Sequence, residues 1–149
     1  MNDDNTYVVT VAQPGWYPGI RQASECQYLL LESFLVRSRG LQITMYAGFR
    51  FNGASIPRIA WGLLGSPFTG RYTLGACVHD GVYGIKMPDL VSRREGDLIF
   101  LDLMRRWGTN WLIRGIFYEY VRRLGWIPWG DYTDQEIAES RRYVLVEKF

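Results

Sequence analysis

The apolar residues of this 149-residue chain change their period once, near residue 60, and that switch sets the fold class. Before it, apolar and β-branched residues come in short runs broken by turn pairs. After it they recur every three or four residues, as on one face of a helix. Residues 7–11 form a β-branched run, stopped by Pro14-Gly15 and Pro18-Gly19, which read as turns. Residues 27–36 and 41–51 are rich in Leu, Ile, Val, Tyr and Phe, and Arg37-Ser38-Arg39-Gly40 between them has hairpin length. These two runs predict an antiparallel hairpin. Beyond residue 68, Tyr72, Ala76, His79 and Tyr83 mark one helical stripe. Ser92 and Glu95 make a capping box for a second helix, running to about Trp107 and stopped by Gly108. Asn110 caps a third over residues 111–124, with Gly125 as its stop. Thr133 and Glu136 open a short fourth before an apolar tail at 143–146. The fold class is therefore α+β. A small antiparallel sheet from the N-terminal half (1–60, mainly β) packs against three to four helices from the C-terminal half (68–149, mainly α), in a single domain, 1–149.

Composition excludes several chemistries. His79 is the only histidine, so zinc sites built on two or three histidines cannot form within one chain. The two cysteines, Cys26 and Cys77, allow at most one disulfide, and such low usage suits a reducing compartment. Residues 1–6 are polar and acidic, the opposite of a secretory leader. The most apolar stretch of the C-terminal half, 111–129, is interrupted by Arg114, Glu119, Arg122 and Arg123. Each central charge would cost about 2.5–3.5 kcal/mol in a bilayer, so no transmembrane helix is expected.

Three segments carry more chemistry than folding alone asks for. In Phe51-Asn52-Gly53-Ala54-Ser55-Ile56-Pro57-Arg58, small residues let the backbone approach a ligand, with Asn52, Gly53, Ser55 and Arg58 as binding candidates. A tight turn stopped by Pro57 explains the same residues. In His79-Asp80-Gly81-Val82-Tyr83, the tyrosine lies one turn beyond the histidine on the same face. The imidazole can act as a base and Asp80 as a cation ligand, or the histidine can be a core residue bonded to Tyr83. Asp97 falls on a core-directed helical face, where a carboxylate needs a partner. His79 is one and Arg93, four residues back, the other.

Residues 43–58 (ITMYAGFRFNGASIPR), His79-Asp80-x-x-Tyr83, and Asp97-Leu98-Ile99-Phe100 after the capping box resemble an uncharacterised family common in phages and prophages. The resemblance covers roughly residues 27–127 and implies a phage context, in the virion or the host cytoplasm. Asn52 stands where members of that family usually carry aspartate. The helix pair also resembles that of phospholipases A2. That likeness implies His79 as general base, Asp97 as the carboxylate holding it, Tyr83 as an orienting hydroxyl and Asp80 as a ligand for calcium. The cysteines flanking the motif in the secreted enzymes are absent, since Gly75 and Ala76 occupy those places. Metal-dependent phosphohydrolases with an HD dipeptide need further histidines, which this chain lacks.

Arg105, Arg106, Arg114, Arg122 and Arg123 are interleaved with Trp107, Trp111, Trp126 and Trp129. Arginine with tryptophan suits an interface, either with host membrane or envelope lipid or with other phage structural proteins. A buried tryptophan core with a solvated arginine rim is the competing explanation. Nucleic acid is the least favoured partner, and self-association is compatible with the pattern. Two functions follow as expectations. One is a phospholipase-A2-like hydrolase acting on a lipid or envelope ester; the other is a non-enzymatic virion component using the same residues as a buried network.

Overall fold

The computed structural model describes residues 8–24, 27–53 and 71–149. Its strands are β1 (Thr10–Val11), β2 (Ile20–Ser24), β3 (Gln27–Leu30), β4 (Phe34–Ser38), β5 (Leu41–Met45) and β6 (Arg50–Phe51). The helices are α1 (Thr73–Ile85), α2 (Arg93–Arg106), α3 (Trp111–Leu124), α4 (Trp126–Asp131) and α5 (Asp134–Tyr143), and β7 (Val144–Lys148) closes the order. The architecture is α+β, with β-sheets in the N-terminal half and helices after them.

The expected hairpin forms between β4 and β5, with Ser38 opposite Leu41. Arg39 and Gly40 both have positive φ, 53° and 77°, the twist that a two-residue hairpin turn requires. Each long apolar run nevertheless breaks in two. β4 and β5 lie in a four-stranded sheet ordered β1-β4-β5-β7, while β3 and β6 lie in a three-stranded sheet ordered β2-β3-β6. Both arms bend at the same level. There the Ser33 Oγ accepts from the Ala47 N–H at 2.9 Å, and Leu30 exchanges backbone bonds with Gly48 and Phe49. The β1–β4 pair is parallel, so the four-stranded sheet is mixed rather than purely antiparallel. The apolar tail is the strand β7, paired with β5 from Met45–Val144 to Leu41–Lys148.

α1 is the central helix, and all thirteen of its residues are buried. It lies so close to the sheet that a Cβ on Gly81 would stand 2.7 Å from the Met45 Cε. One apolar cluster joins both halves of the chain, with Phe34, Ile43 and Met45 from the sheet against Leu74, Val78, Val82 and Ile99. A second lies among α1, α2 and α3, where Tyr72 meets Phe117 edge to face at 4.9 Å. Both expected capping boxes are present, at Ser92/Glu95 and Thr133/Glu136. Among the described residues, no helix is long and apolar enough to cross a membrane.

Gly125 is not the left-handed stop that its position suggests. Its φ is −64°, and the chain runs on directly into α4. Glycine is required there for space. A Cβ would run into the Val121 carbonyl oxygen, stand 2.5 Å from the Tyr83 hydroxyl and 3.1 Å from the Arg93 guanidinium. Gly125→Ala should therefore destabilise the fold by about 1–3 kcal/mol, the cost of overpacking. Urea denaturation of the two proteins measures it, and a change within a few tenths of a kcal/mol would contradict this packing.

Candidate functional site

Every helix of the cluster contributes through local chemistry already described. The helical stripe of α1 places His79 and Tyr83 one turn apart, their rings 4.1 Å centroid to centroid. The capping box starts α2 at a phase that turns Asp97 inward, where its exposure is 0%. The His79 Nε2 lies 2.8 Å from Asp97 Oδ1, and the Tyr83 hydroxyl donates to the same oxygen at 2.6 Å. Asp97 Oδ2 accepts from Arg122 at 2.6 Å and from Arg93 at 3.4 Å. Both partners weighed for Asp97 from the sequence are thus present at once. Arg93 also donates to the Val121 and Arg122 carbonyls, tying α2 to the C-terminal end of α3.

This environment settles the imidazole's tautomer. A carboxylate only accepts, so in neutral His79 the Nε2 carries the proton and Nδ1 keeps the lone pair. The Nδ1 is buried and has no hydrogen-bond partner among the described residues. Its nearest acidic neighbour, Asp80 Oδ1, is 3.9 Å away, beyond hydrogen-bond reach. The other oxygen of Asp80 accepts from the backbone N–H groups of Asn52 and Gly53, at 2.8 and 2.9 Å. The turn singled out at residues 51–58 is therefore anchored on the residue next to the histidine. Ser55 and Arg58 lie outside the described residues.

A chamber of about 20 Å³ adjoins His79, Tyr83, Pro128 and Tyr132, room for one water molecule and nothing larger. Beyond Asp80 and Tyr132, which line both spaces, lies a cleft of about 350 Å³ between β6 and α5. Tyr132 was missed in the sequence, and Trp129, read there only as an interface residue, meets the Tyr83 ring edge to face at 5.1 Å. They follow Gly125, where the helix was expected to end.

The residues expected to form one arginine–tryptophan interface are dispersed. Trp111 (71% exposed) and Trp126 (62%) lie at opposite ends of α3, roughly 20 Å apart along its axis. Arg122 turns inward to Asp97, and Arg106 donates to the Arg37 carbonyl at 2.7 Å. Arg123 pairs with Glu119, Arg114 donates to the Thr109 carbonyl, and Arg105 is exposed.

The donor set around Asp80 fits calcium poorly. Its Oδ2 faces two N–H groups, whose positive ends oppose a cation. Among the described residues, no three His, Cys, Asp or Glu side chains converge to hold a metal.

Burial alone would depress the His79 pKa, but the Asp80 and Asp97 carboxylates outweigh it and hold it above 6.5. Burial would raise Asp97; its bonds from His79, Tyr83 and Arg122 pull it below 3.8 instead. Tyr83 is pushed up, by burial first and then by Asp97, and remains a phenol donor. A histidine with a raised folded pKa stabilises fully below its unfolded value, and that stability is lost as pH rises through the folded pKa. A carboxylate with a lowered pKa stabilises above its unfolded value and loses that as pH falls through the folded one. The cluster should therefore be most stabilising between pH 3.8 and 6.5, weakening on both sides. Urea midpoints across pH test this, and in His79→Gln the decline above 6.5 should vanish.

The chain matches the family described as "Protein of unknown function (DUF1353)" over residues 28–121, and it belongs to that family. That span contains His79, Tyr83, Asp80 and Asp97. No curated protein matches the chain, and no solved structure does.

Proposed function

We propose that this is a phage-associated hydrolase in which the His79–Asp97 pair activates water for attack on an ester of the host membrane or envelope. The observation that carries the reading is the orphaned Nδ1 of His79. A buried ring nitrogen with no partner among the described residues costs the fold stability, whereas a general base needs its lone pair free, and His79 lines a water-sized chamber. Asp97 fixes the tautomer and stabilises the imidazolium that forms. Asp80 Oδ1, 3.9 Å from Nδ1, lies at a separation that one bridging water spans, so the same water can be held by both. Nδ1 takes a proton from that water, the oxygen adds to the ester carbonyl carbon, and the bond to the leaving oxygen breaks. Nδ1 then returns the proton to the departing alkoxide. The charges of Asp80 and Asp97 balance those of Arg93 and Arg122, so a protonated His79 leaves a single net positive charge. The reading routes no step through a metal.

A phage context rests on the motif resemblance alone. A second reading, a non-enzymatic virion subunit, draws on a different fact: Asp97 is fully buried and accepts from four donors on three helices, as a structural lock would. The purified protein should hydrolyse a panel of soluble esters with a rate that rises through the His79 pKa. Absence of turnover on every ester, with the protein stoichiometric in purified particles, would favour the subunit.

A further inference from the structure

We infer that the cleft between β6 and α5 is a binding site for a polyhydroxylated, amide-bearing ligand, a sugar unit of an envelope glycan, rather than for a lipid acyl chain. The inference rests on the hydrolase reading only for its role as substrate site; the binding itself stands on the lining. At about 350 Å³ the cleft lies at the small end of ligand pockets. Gln27, Asn52 and Gln135 bring amide groups, each able to donate and to accept. Arg50 adds donors, Glu139 acceptors and Ser140 a hydroxyl with both. Sugar hydroxyl and acetamido groups also donate and accept, so such a lining can satisfy them without leaving either partner unpaired.

An acyl chain would do the reverse. It would cover these mostly exposed polar groups and return no hydrogen bond to any of them, an unfavourable exchange of water for hydrocarbon. Phe49 and Phe51, whose parallel rings stand 6.3 Å apart, are nearly buried and show the cleft little surface. Packed into the core, they offer an acyl chain no channel. The cleft and the His79 chamber share Asp80 and Tyr132 as walls, so a ligand in the cleft lies one side chain away from the base.

The test is an NMR titration of the full chain with chitotetraose, and in parallel with dihexanoyl phosphatidylglycerol. Saturable amide shifts confined to residues 50–53 and 132–140 with the saccharide are expected, weakened about tenfold in the exposed-site variants Gln135→Ala and Glu139→Ala. Trp111→Ala, exposed at the far end of α3 and outside the cleft's lining, should bind the saccharide as the parent does. No saccharide shift in the cleft, or shifts there with the phospholipid instead, overturns the inference. Saccharide binding without turnover of any ester would leave the binding site standing and remove the hydrolase. Ester turnover without saccharide binding would do the opposite.

Discussion

In the proposed hydrolase, His79→Ala should lower ester turnover by about a hundred- to ten-thousand-fold, the contribution of a positioned general base. The size follows from there being one histidine in the chain, so no second imidazole can stand in for it. His79 is also 2% exposed and packs against Tyr83 and Phe100, so its truncation costs stability as well. The two effects separate in kinetics measured well below the melting temperature, with circular dichroism confirming the fold. His79→Gln keeps much of the volume and a donor for Asp97 but offers no comparable base, and it should be as inactive as the alanine variant. If it retained the parental rate, Nδ1 would not be the base.

The largest effect on stability should come from Asp97→Ala. It removes an acceptor shared by His79, Tyr83, Arg93 and Arg122, leaving two guanidinium groups against each other with no carboxylate between them. Breaking a buried charge pair from one side costs about 3–5 kcal/mol, because the remaining charge stays desolvated. Arg122→Ala should cost less, since Asp97 keeps three donors and Arg122 is partly exposed. Denaturant unfolding of both variants gives the comparison. Equal losses would mean that the carboxylate is not the centre of the cluster.

Features decided within four residues were legible in the sequence. Both capping boxes and the Asn110 cap formed as read, because their donors and acceptors lie two or three positions apart. The His79–Tyr83 stripe and the inward phase of Asp97 came from the same short-range period. What was not legible depends on distant partners. The two apolar runs look like continuous strands, and only the shared bend at Ser33 and Ala47 divides them between sheets. The tail at 144–148 finds its partner about a hundred residues earlier in β5. Gly125 carries a helix-stop signature in sequence, yet a Cβ there would meet the Val121 carbonyl of its own helix and, on other helices, the Tyr83 hydroxyl and the Arg93 guanidinium. Arg122 read as a surface residue for the same cause, because the carboxylate it meets is twenty-five positions away.

The smallness of the chamber beside His79 separates reaction from access. A space of about 20 Å³ has room for one water molecule but not for an ester, so in the hydrolase reading the substrate must be admitted past its wall. Tyr132, at the seam between chamber and cleft, belongs to the link between two helices rather than to the core. In the hydrolase reading, each catalytic cycle must begin with displacement of that seam. That opening precedes proton transfer to His79 in every turnover, and the rate rises through the His79 pKa only while opening is the faster of the two steps.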